Sequence, residues 1–150
     1  IVDKVKQIRP DISLSTDIIV GYPTETEEDF EKTLDIVKKV RYDSAFTFIF
    51  SPRPNTPAAK LKEIDDSILK DRFNRLTDLM NSIQLENHEG TIGNRYEVLV
   101  ESYNETEHTL EGRNPYGRLV VFEGDREDIG KIVEVEIEKI NTFTSFGRMV

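Results

Sequence analysis

A short apolar run near the start of the chain stops abruptly at a glycine. Residues 12–20 are rich in β-branched side chains, with the clearest strand pattern over 16–21, and Gly21 and Pro23 then form a stiff turn. An apolar run of this length that ends in a turn predicts a buried strand. The turn matters because α/β sheets and barrels bind ligands at the carboxyl ends of their parallel strands.

An amphipathic helix follows this turn and leads to a second strand. Apolar side chains recur with helical spacing over 26–40, with acidic residues at the start and basic residues at the end, where the helix dipole favours each. Thr26 and Asp29 predict a capping box. Residues 44–50 are again apolar and predict a strand. The order strand–helix–strand predicts parallel pairing through a right-handed crossover.

Two strands are too few for a parallel sheet, which needs more strands and cover on both faces. Only a short helical pattern over 1–9, ended by Pro10, precedes them. The chain also opens without Met, in what the pattern indicates is the middle of a helix. We therefore expect the missing strands to lie upstream, in a longer protein from which this chain is an excised piece.

The period of the apolar pattern changes in the second half of the chain. A proline-rich loop at 51–65 precedes apolar residues at alternating spacings of four and three, which predict a long helix over 67–89 ended by Gly90 and Gly93. Beyond Gly93 the period is two. Short strands separated by Gly and Asn turns are predicted at 96–101, 109–110, 118–122, 133–138 and 142–150. This pattern predicts a five-stranded antiparallel barrel of OB or SH3-like size, and hence two domains, 1–89 and 90–150.

Composition and charge narrow the possible functions. Charged residues make up 33% and hydrophobic residues 37% of the chain, as in soluble globular proteins, and no apolar run approaches the ~20 residues of a membrane span. The net charge is -9; residues 1–88 carry 13 basic and 16 acidic side chains, and residues 89–150 carry 7 and 13. Neither half is basic, so any RNA site has to be a local patch. Cys is absent, which excludes disulfides and thiolate metal sites within these residues.

Two loops are candidates for ligand binding. Gly21 would allow a flat cofactor to approach the backbone, although the same turn is common in α/β proteins without such a site. In the loop 51–57, Arg53 stands between two prolines, which would hold its guanidinium outward to meet a phosphate or carboxylate. A rigid surface loop without a ligand is the alternative. The pattern alone leaves both questions open.

Three stretches resemble one enzyme family. Residues 15–30, STDIIVGYPTETEEDF, and residues 43–59, DSAFTFIFSPRPNTPAA, resemble the radical S-adenosylmethionine methylthiotransferases. They are most similar to the branch that modifies an isopentenylated adenosine beside the anticodon of tRNA. Gly112-Arg113, followed by LVVFEG at 119–124, resembles the TRAM domain, an RNA-binding β-barrel that ends these enzymes. The three stretches occur in the order of the family and span nearly the whole chain.

The resemblance implies a fold and a set of cofactors. The chain would comprise the last two βα units of a partial (β/α)6 radical barrel, the long helix and the TRAM barrel. The full-length enzyme would use S-adenosylmethionine and two 4Fe–4S clusters, each bound by three cysteines. Since this chain has no Cys, both clusters would lie upstream, and the chain alone would be inactive. The implied partners are tRNA and the upstream domains, with no membrane, in the cytoplasm.

The resemblance also implies residues around the cofactor. In the wider superfamily a Gly-x-Ile-x-Gly pattern on a late strand packs against the adenine of S-adenosylmethionine, and here Asp17 replaces the first glycine. The pattern maps onto Asp17, Ile19 and Gly21, and Ile49 and Ser51, at the end of the next strand, would lie near the same adenine, with Arg53 beyond them. Arg53 would contact either cofactor or RNA at the mouth of the site. We expect Gly21 and Ser51 to lie side by side where the two strands end.

The barrel carries cationic and stacking groups of the kind found in single-stranded RNA sites. We predict RNA contacts for Arg113, Asn114, Tyr116, Arg118 and Arg148. The alternative is that the arginines pair with the many acidic residues. Phe122 and Phe146 are predicted to be core residues.

Three functions remain open. The first is tRNA methylthiotransfer, which the run FSPRPNTP at 50–57 favours. The second is the sister activity on an aspartate of a small-subunit ribosomal protein, since a negative barrel suits a basic protein substrate. The third is a non-catalytic RNA-binding module. A CxxxCxxC loop upstream of Ile1 would distinguish the enzymes from the third.

Overall fold

The first half of the chain forms a two-stranded parallel sheet packed against helices. The computed structural model describes all 150 residues, and residues Ile1–Gln84 form one of its two compact units. The elements of this half are α1 (Val2–Ile8), β1 (Ser15–Val20), α2 (Glu27–Val40), β2 (Ser44–Ile49), a 3-10 turn (Pro57–Lys60) and α3 (Asp66–Glu89). The parallel register of β1 and β2 runs from Ser15 opposite Ser44 to Val20 opposite Ile49, which confirms the predicted pairing.

Local signals start α2 where the sequence predicts. The Thr26 hydroxyl accepts a hydrogen bond from the Asp29 N–H at 3.2 Å, and the Asp29 carboxylate accepts one from the Thr26 N–H at 3.1 Å. This is the predicted capping box, formed by a short acid. The Thr26 hydroxyl also donates to the Asp29 carboxylate at 2.7 Å, and this bond, followed by the one from the Thr26 N–H, holds the Asp29 pKa below its usual range.

Helices cover only one face of the sheet. Val20 of β1 packs into a core with apolar side chains of α2 and α3: Phe30, Leu34, Val37, Leu76, Met80 and Ile83. The other face is open, with Ile19, Phe46 and Phe48 exposed by 59%, 65% and 51%. The first unit therefore presents an apolar sheet surface, and its place in a larger (β/α) barrel stays a prediction.

The second unit, Leu85–Val150, is built around a closed five-stranded barrel. Its strands are β3 (Arg95–Asn104), β4 (Thr109–Arg113), β5 (Leu119–Glu123), β6 (Ile132–Ile140) and β7 (Thr144–Met149). The barrel core consists of alternate residues of these strands: Val98, Val100, Leu110, Val120, Phe122, Val135 and Ile137. Phe122 is thus in the core as predicted, whereas Phe146 is only half-buried. None of the helices has the length and apolar character that a membrane span requires.

The prediction of an all-antiparallel barrel was wrong at one strand pair. The order around the barrel is β3-β4-β5-β7-β6, and β5 pairs with β7 in parallel. The connection after β5 crosses to place β6 beside β3, and the hairpin from β6 then brings β7 back along β5. The period-two pattern locates strands but not their directions, which this crossover decides. The result is a mixed barrel with OB-like strand order.

Candidate functional site

The turn after β1 and the loop after β2 leave the sheet side by side. The Val20 carbonyl accepts a hydrogen bond from the Phe50 N–H at 2.8 Å. The rings of Tyr22 and Phe50 then meet edge to face, with centroids 5.3 Å apart. The residues that flank Gly21 and Ser51 are therefore in contact, so these two positions share one edge of the sheet as the sequence predicts.

A buried charge network fixes the shape of the β1–α2 turn. The Gly21 N–H donates to the Glu25 carboxylate at 2.9 Å. The same carboxylate oxygen accepts from Arg72 Nη1 at 2.8 Å, and Nη1 also donates to the Glu25 carbonyl at 3.1 Å. Arg72 lies on α3 and is 5% exposed. Helix α3 therefore holds the turn through an ion pair that is largely shielded from water.

Packing of α3 is enough to explain the glycine at position 21. Gly21 has φ +82°, a left-handed conformation that favours glycine, and an added Cβ would overlap the Leu69 side chain of α3. Leu69 thus occupies the side of the backbone toward which a Cβ would point. Approach of a flat ligand to Gly21 stays a prediction.

The open face of the sheet carries two of the other predicted cofactor residues, Asp17 and Ile19. Asp17 lies opposite Phe46 and Ile19 lies opposite Phe48 in the parallel register, so the four side chains share the exposed face. Ile49 pairs with the buried Val20. The structure thus separates the Ile49 side chain from Ile19, to the other face of the sheet. Phe48, rather than Ile49, lies beside Ile19 on the exposed face. The sequence reasoning missed Phe48, which the alternation of side chains along a strand could have identified.

The loop after β2 leaves Arg53 free. Thr56 begins the 3-10 turn by accepting from the Ala59 N–H at 3.3 Å, while its hydroxyl donates to the Arg53 carbonyl at 2.8 Å. Ser51 and Arg53 are exposed, and no hydrogen bond or ion pair engages the Arg53 guanidinium. The loop is ordered by its own backbone contacts, and it presents a cation near the sheet edge.

The open face thus offers exposed apolar side chains, with the exposed Ser51 and Arg53 in the loop that follows β2. The chain holds no group of three His, Cys, Asp or Glu residues that could bind a metal ion. We therefore assign no metal or cluster ligand to these residues.

In the barrel, Arg118 has a structural role that the sequence did not predict. Its Nε donates to the Ser145 hydroxyl at 2.8 Å, and its terminal nitrogens donate to the carbonyls of Asn141 at 2.6 Å and of Thr142 and Thr144 at 3.3 Å. Burial lowers the pKa of the guanidinium to about 10, so it remains cationic at neutral pH. The donors of Arg118 are directed at the β6–β7 loop.

The other predicted RNA contacts also have protein partners. The buried Asn114 accepts from the N–H groups of Tyr116 and Arg118 at 3.0 Å and thereby shapes the β4–β5 loop. Arg113 pairs with Glu101 at 3.3 Å, and its Nη1 donates to the Gly117 carbonyl at 2.8 Å. Arg113 remains exposed, and 37% of Tyr116 is exposed.

Arg148 also pairs with acidic residues, as the alternative interpretation of the arginines predicted. It lies 3.3 Å from Glu136 and 3.1 Å from Glu138 on the neighbouring strand. Its side chain nevertheless remains 61% exposed, so the guanidinium can also face solvent or a ligand. Sequence reasoning missed one prominent surface residue of the barrel, Phe143, which is 68% exposed in the β6–β7 loop. An aromatic residue next to an Asn turn, outside the strand alternation, is the signal that could have found it.

The barrel and the chain as a whole both match known proteins. A closed five-stranded barrel with OB-like order defines a class of small domains, many of which bind oligonucleotides. Residues 89–150 match the family model of the TRAM domain. The second unit is therefore similar to a TRAM domain.

Relatives extend the similarity to the first unit. The chain is 49% identical over 148 residues to the tRNA-2-methylthio-N(6)-dimethylallyladenosine synthase of Clostridium beijerinckii, covering 97% of this chain and 32% of that protein. Synthases of the same name from Clostridium botulinum (strain Okra / Type B1) and Carboxydothermus hydrogenoformans are 47% and 45% identical over all of this chain. The chain spans about a third of the length of these relatives. It is similar to the C-terminal part of tRNA methylthiotransferases.

Proposed function

We propose that this chain is the C-terminal part of a tRNA methylthiotransferase that adds a methylthio group to an isopentenylated adenosine beside the anticodon. Residues 1–89 would close the radical S-adenosylmethionine domain, and residues 90–150 would bind the RNA. The observation that carries the proposal is identity of 45–49% to synthases of this name along essentially the whole chain. Cluster cysteines would belong to upstream domains, since the chain has none.

The residues of the first unit would bind and orient the cofactor. Ile19 and Phe48 offer an apolar surface to the plane of the adenine. Ser51, at the adjoining strand end, can hydrogen-bond to the polar edge of the base, and Arg53 can meet a carboxylate of the cofactor or a phosphate of RNA. When bound in such enzymes, S-adenosylmethionine supplies the group that abstracts hydrogen from the substrate and also the methyl group that is transferred.

Some of the predicted RNA-binding residues of the barrel would shape its loops, and others would contact the RNA. Asn114 and Arg118 order the two loops at one end of the barrel. Arg113, Tyr116 and Arg148 remain at the surface and are the proposed contacts to the tRNA. This division follows from solvent exposure, because Asn114 is buried and Arg118 half-buried, whereas the other three side chains are exposed.

The cofactor part of the proposal is tested by shortening an apolar side chain on the exposed sheet face of the full-length enzyme. Ile19→Ala removes three carbons, each worth about 0.8 kcal/mol when buried, so the Kd for S-adenosylmethionine should rise about tenfold or more. Ile36→Ala on α2, also exposed at 52%, is the matched control and should leave the Kd unchanged. Equal affinities for the Ile19→Ala enzyme and the parent would contradict the placement of the adenine.

The RNA part is tested by deletion of residues 90–150 from the same enzyme. The truncated enzyme should bind tRNA more weakly and S-adenosylmethionine equally well. Unchanged affinity for tRNA would refute the assignment of RNA binding to the barrel.

One observation favours a second candidate function, methylthiolation of an aspartate in a basic ribosomal protein. Residues 89–150 carry 13 acidic against 7 basic side chains, which suits a basic protein better than a polyanion. Assay of the full-length enzyme with tRNA and with small-subunit ribosomal proteins separates the two. The proposal requires product on tRNA; product on the protein alone would establish the alternative. The third hypothesis, a non-catalytic RNA-binding module, requires that no CxxxCxxC loop lies upstream of Ile1.

A further inference from the structure

We propose that Phe143, in the loop between β6 and β7, stacks on an unpaired base of the bound RNA. This inference rests on the RNA-binding function proposed for the barrel. Phe143 is 68% exposed, the largest exposure of any aromatic side chain in the chain. An exposed phenylalanine is unfavourable in water, and stacking on a base would cover the ring.

The loop that carries Phe143 is held in place before any ligand binds. The Asn141 carboxamide oxygen accepts from the N–H groups of Phe143 at 2.9 Å and of Thr144 at 2.6 Å. The Asn141 N–H in turn donates to the Thr144 carbonyl at 2.8 Å. The Arg118 guanidinium binds the carbonyls on both sides of Phe143. A preorganised aromatic loses little conformational entropy on binding.

The position of the loop agrees with the way OB-like barrels use their surfaces. Such barrels bind oligonucleotides on the face of their second and third strands and on the loops that include the one between strands four and five. In this barrel those strands are β4 and β5, and that loop is the one that carries Phe143. Leu119 of β5 pairs with Thr144, so the loop adjoins the start of β5 and the β4–β5 loop before it.

Charge also favours this end of the barrel for RNA. The segments 113–118 and 139–146 contain three basic residues and no acidic residue, within a domain that is acidic overall. These basic residues are Arg113, Arg118 and Lys139. By contrast, Glu111 and Glu123 lie farther along β4 and β5, away from Thr144. Phosphates would meet less repulsion around Phe143 than at the other end.

The absence of Trp from the chain allows a direct test of stacking. A Phe143→Trp variant of the 150-residue chain would carry a single Trp, whose emission can be excited selectively over that of the five Tyr residues. We expect its emission to be quenched by a hairpin RNA of anticodon stem-loop size with unpaired loop bases, and not by a fully paired duplex. The matched control is Ile129→Trp, exposed at 44% before β6, whereas Phe143 follows β6. This control should show no quenching by the hairpin.

Affinity for the hairpin provides the second readout. Because stacking on an aromatic side chain contributes substantially per base, Phe143→Ala should weaken binding by about five- to 150-fold, while Ile129→Ala should bind as the unsubstituted chain does. Both sites are exposed, so neither substitution should impair folding; circular dichroism checks this. Binding by Phe143→Ala at the parental affinity would overturn the inference, as would an unquenched Phe143→Trp in a chain that binds the hairpin. Failure of the unsubstituted chain and the full-length enzyme to bind any RNA would overturn the proposed function itself.

Discussion

Removal of Arg72 should destabilise the first unit far more than removal of its neighbour Arg75. Arg72 donates to the Glu25 carboxylate and carbonyl and, through Nε at 3.2 Å, to Glu27. The Arg72 and Glu25 side chains are 6% and 11% exposed. Arg72→Ala would therefore leave a carboxylate with little access to water and without its counter-charge. Breaking a buried pair in this way costs about 3–5 kcal/mol.

Arg75 is a matched control on the same helix. It binds Glu27, Glu31 and Asp71 and lies over the Phe30 ring at 4.8 Å, but its side chain is 36% exposed. Exposed ion pairs contribute about 0–1 kcal/mol each because water screens them. Arg75→Ala should therefore cost only about 1 kcal/mol.

Urea unfolding of the chain, followed by circular dichroism at 222 nm, measures the difference. The signal reports mainly on α2 and α3, the two longest helices. We expect the Arg72→Ala free energy of unfolding to be about 2–4 kcal/mol lower than that of Arg75→Ala. The double variant Arg72→Met, Glu25→Gln removes both charges and should recover much of the loss. Equal stabilities of the two single variants would refute the argument that a buried charge pair fixes the turn.

Three further predictions concern the barrel. Gly147→Ala should lower the stability of the barrel by about 1–3 kcal/mol, because the new methyl would overlap the Glu136 carbonyl and lie 2.8 Å from Val135. The control Gly90→Ala meets no atom and should leave stability unchanged in the same urea assay. Equal effects of the two substitutions would contradict this. Hydrogen bonds from Arg148 and then Arg95 hold the Glu136 pKa below its usual 4.5. Glu136→Gln should therefore be less stable than the parent at neutral pH, and the difference should shrink as pH falls from 4.5 through the lowered pKa, because that stabilisation is lost when the carboxylate is protonated. A difference that does not change with pH would count against it. Arg118→Lys keeps the charge but loses the planar fork, so amide hydrogen exchange in residues 141–144 should accelerate, and unchanged exchange would show that the loop does not need Arg118.

Features decided by neighbouring residues could be predicted from the sequence. The capping box of Thr26 and Asp29 depends on residues three positions apart, and the periods of 3.6 and two located the three helices and all five barrel strands to within a few residues. The parallel pairing of β1 and β2 followed from the order strand–helix–strand. In each case the cause lies within one segment of the chain.

Features that depend on residues far apart in the sequence could not be predicted from it. Glu25 meets Arg72 across 47 positions, and Gly21 requires glycine because of Leu69 on α3. Arg118 was predicted to bind RNA because of its residue type, but its carbonyl partners are 23 to 26 positions away. The parallel β5–β7 pair likewise depends on a crossover that has no local signal.

The most direct test of the account is photolabelling of the full-length enzyme with an S-adenosylmethionine analogue that carries an azido group on the adenine ring. If the adenine lies against the exposed face and adjoining edge of the sheet, the label should be found in peptides that contain Ile19, Phe48 or Ser51, and excess S-adenosylmethionine should prevent the labelling. Protected labelling confined to upstream peptides, with none in residues 15–53, would contradict the central claim that this part of the chain borders the cofactor.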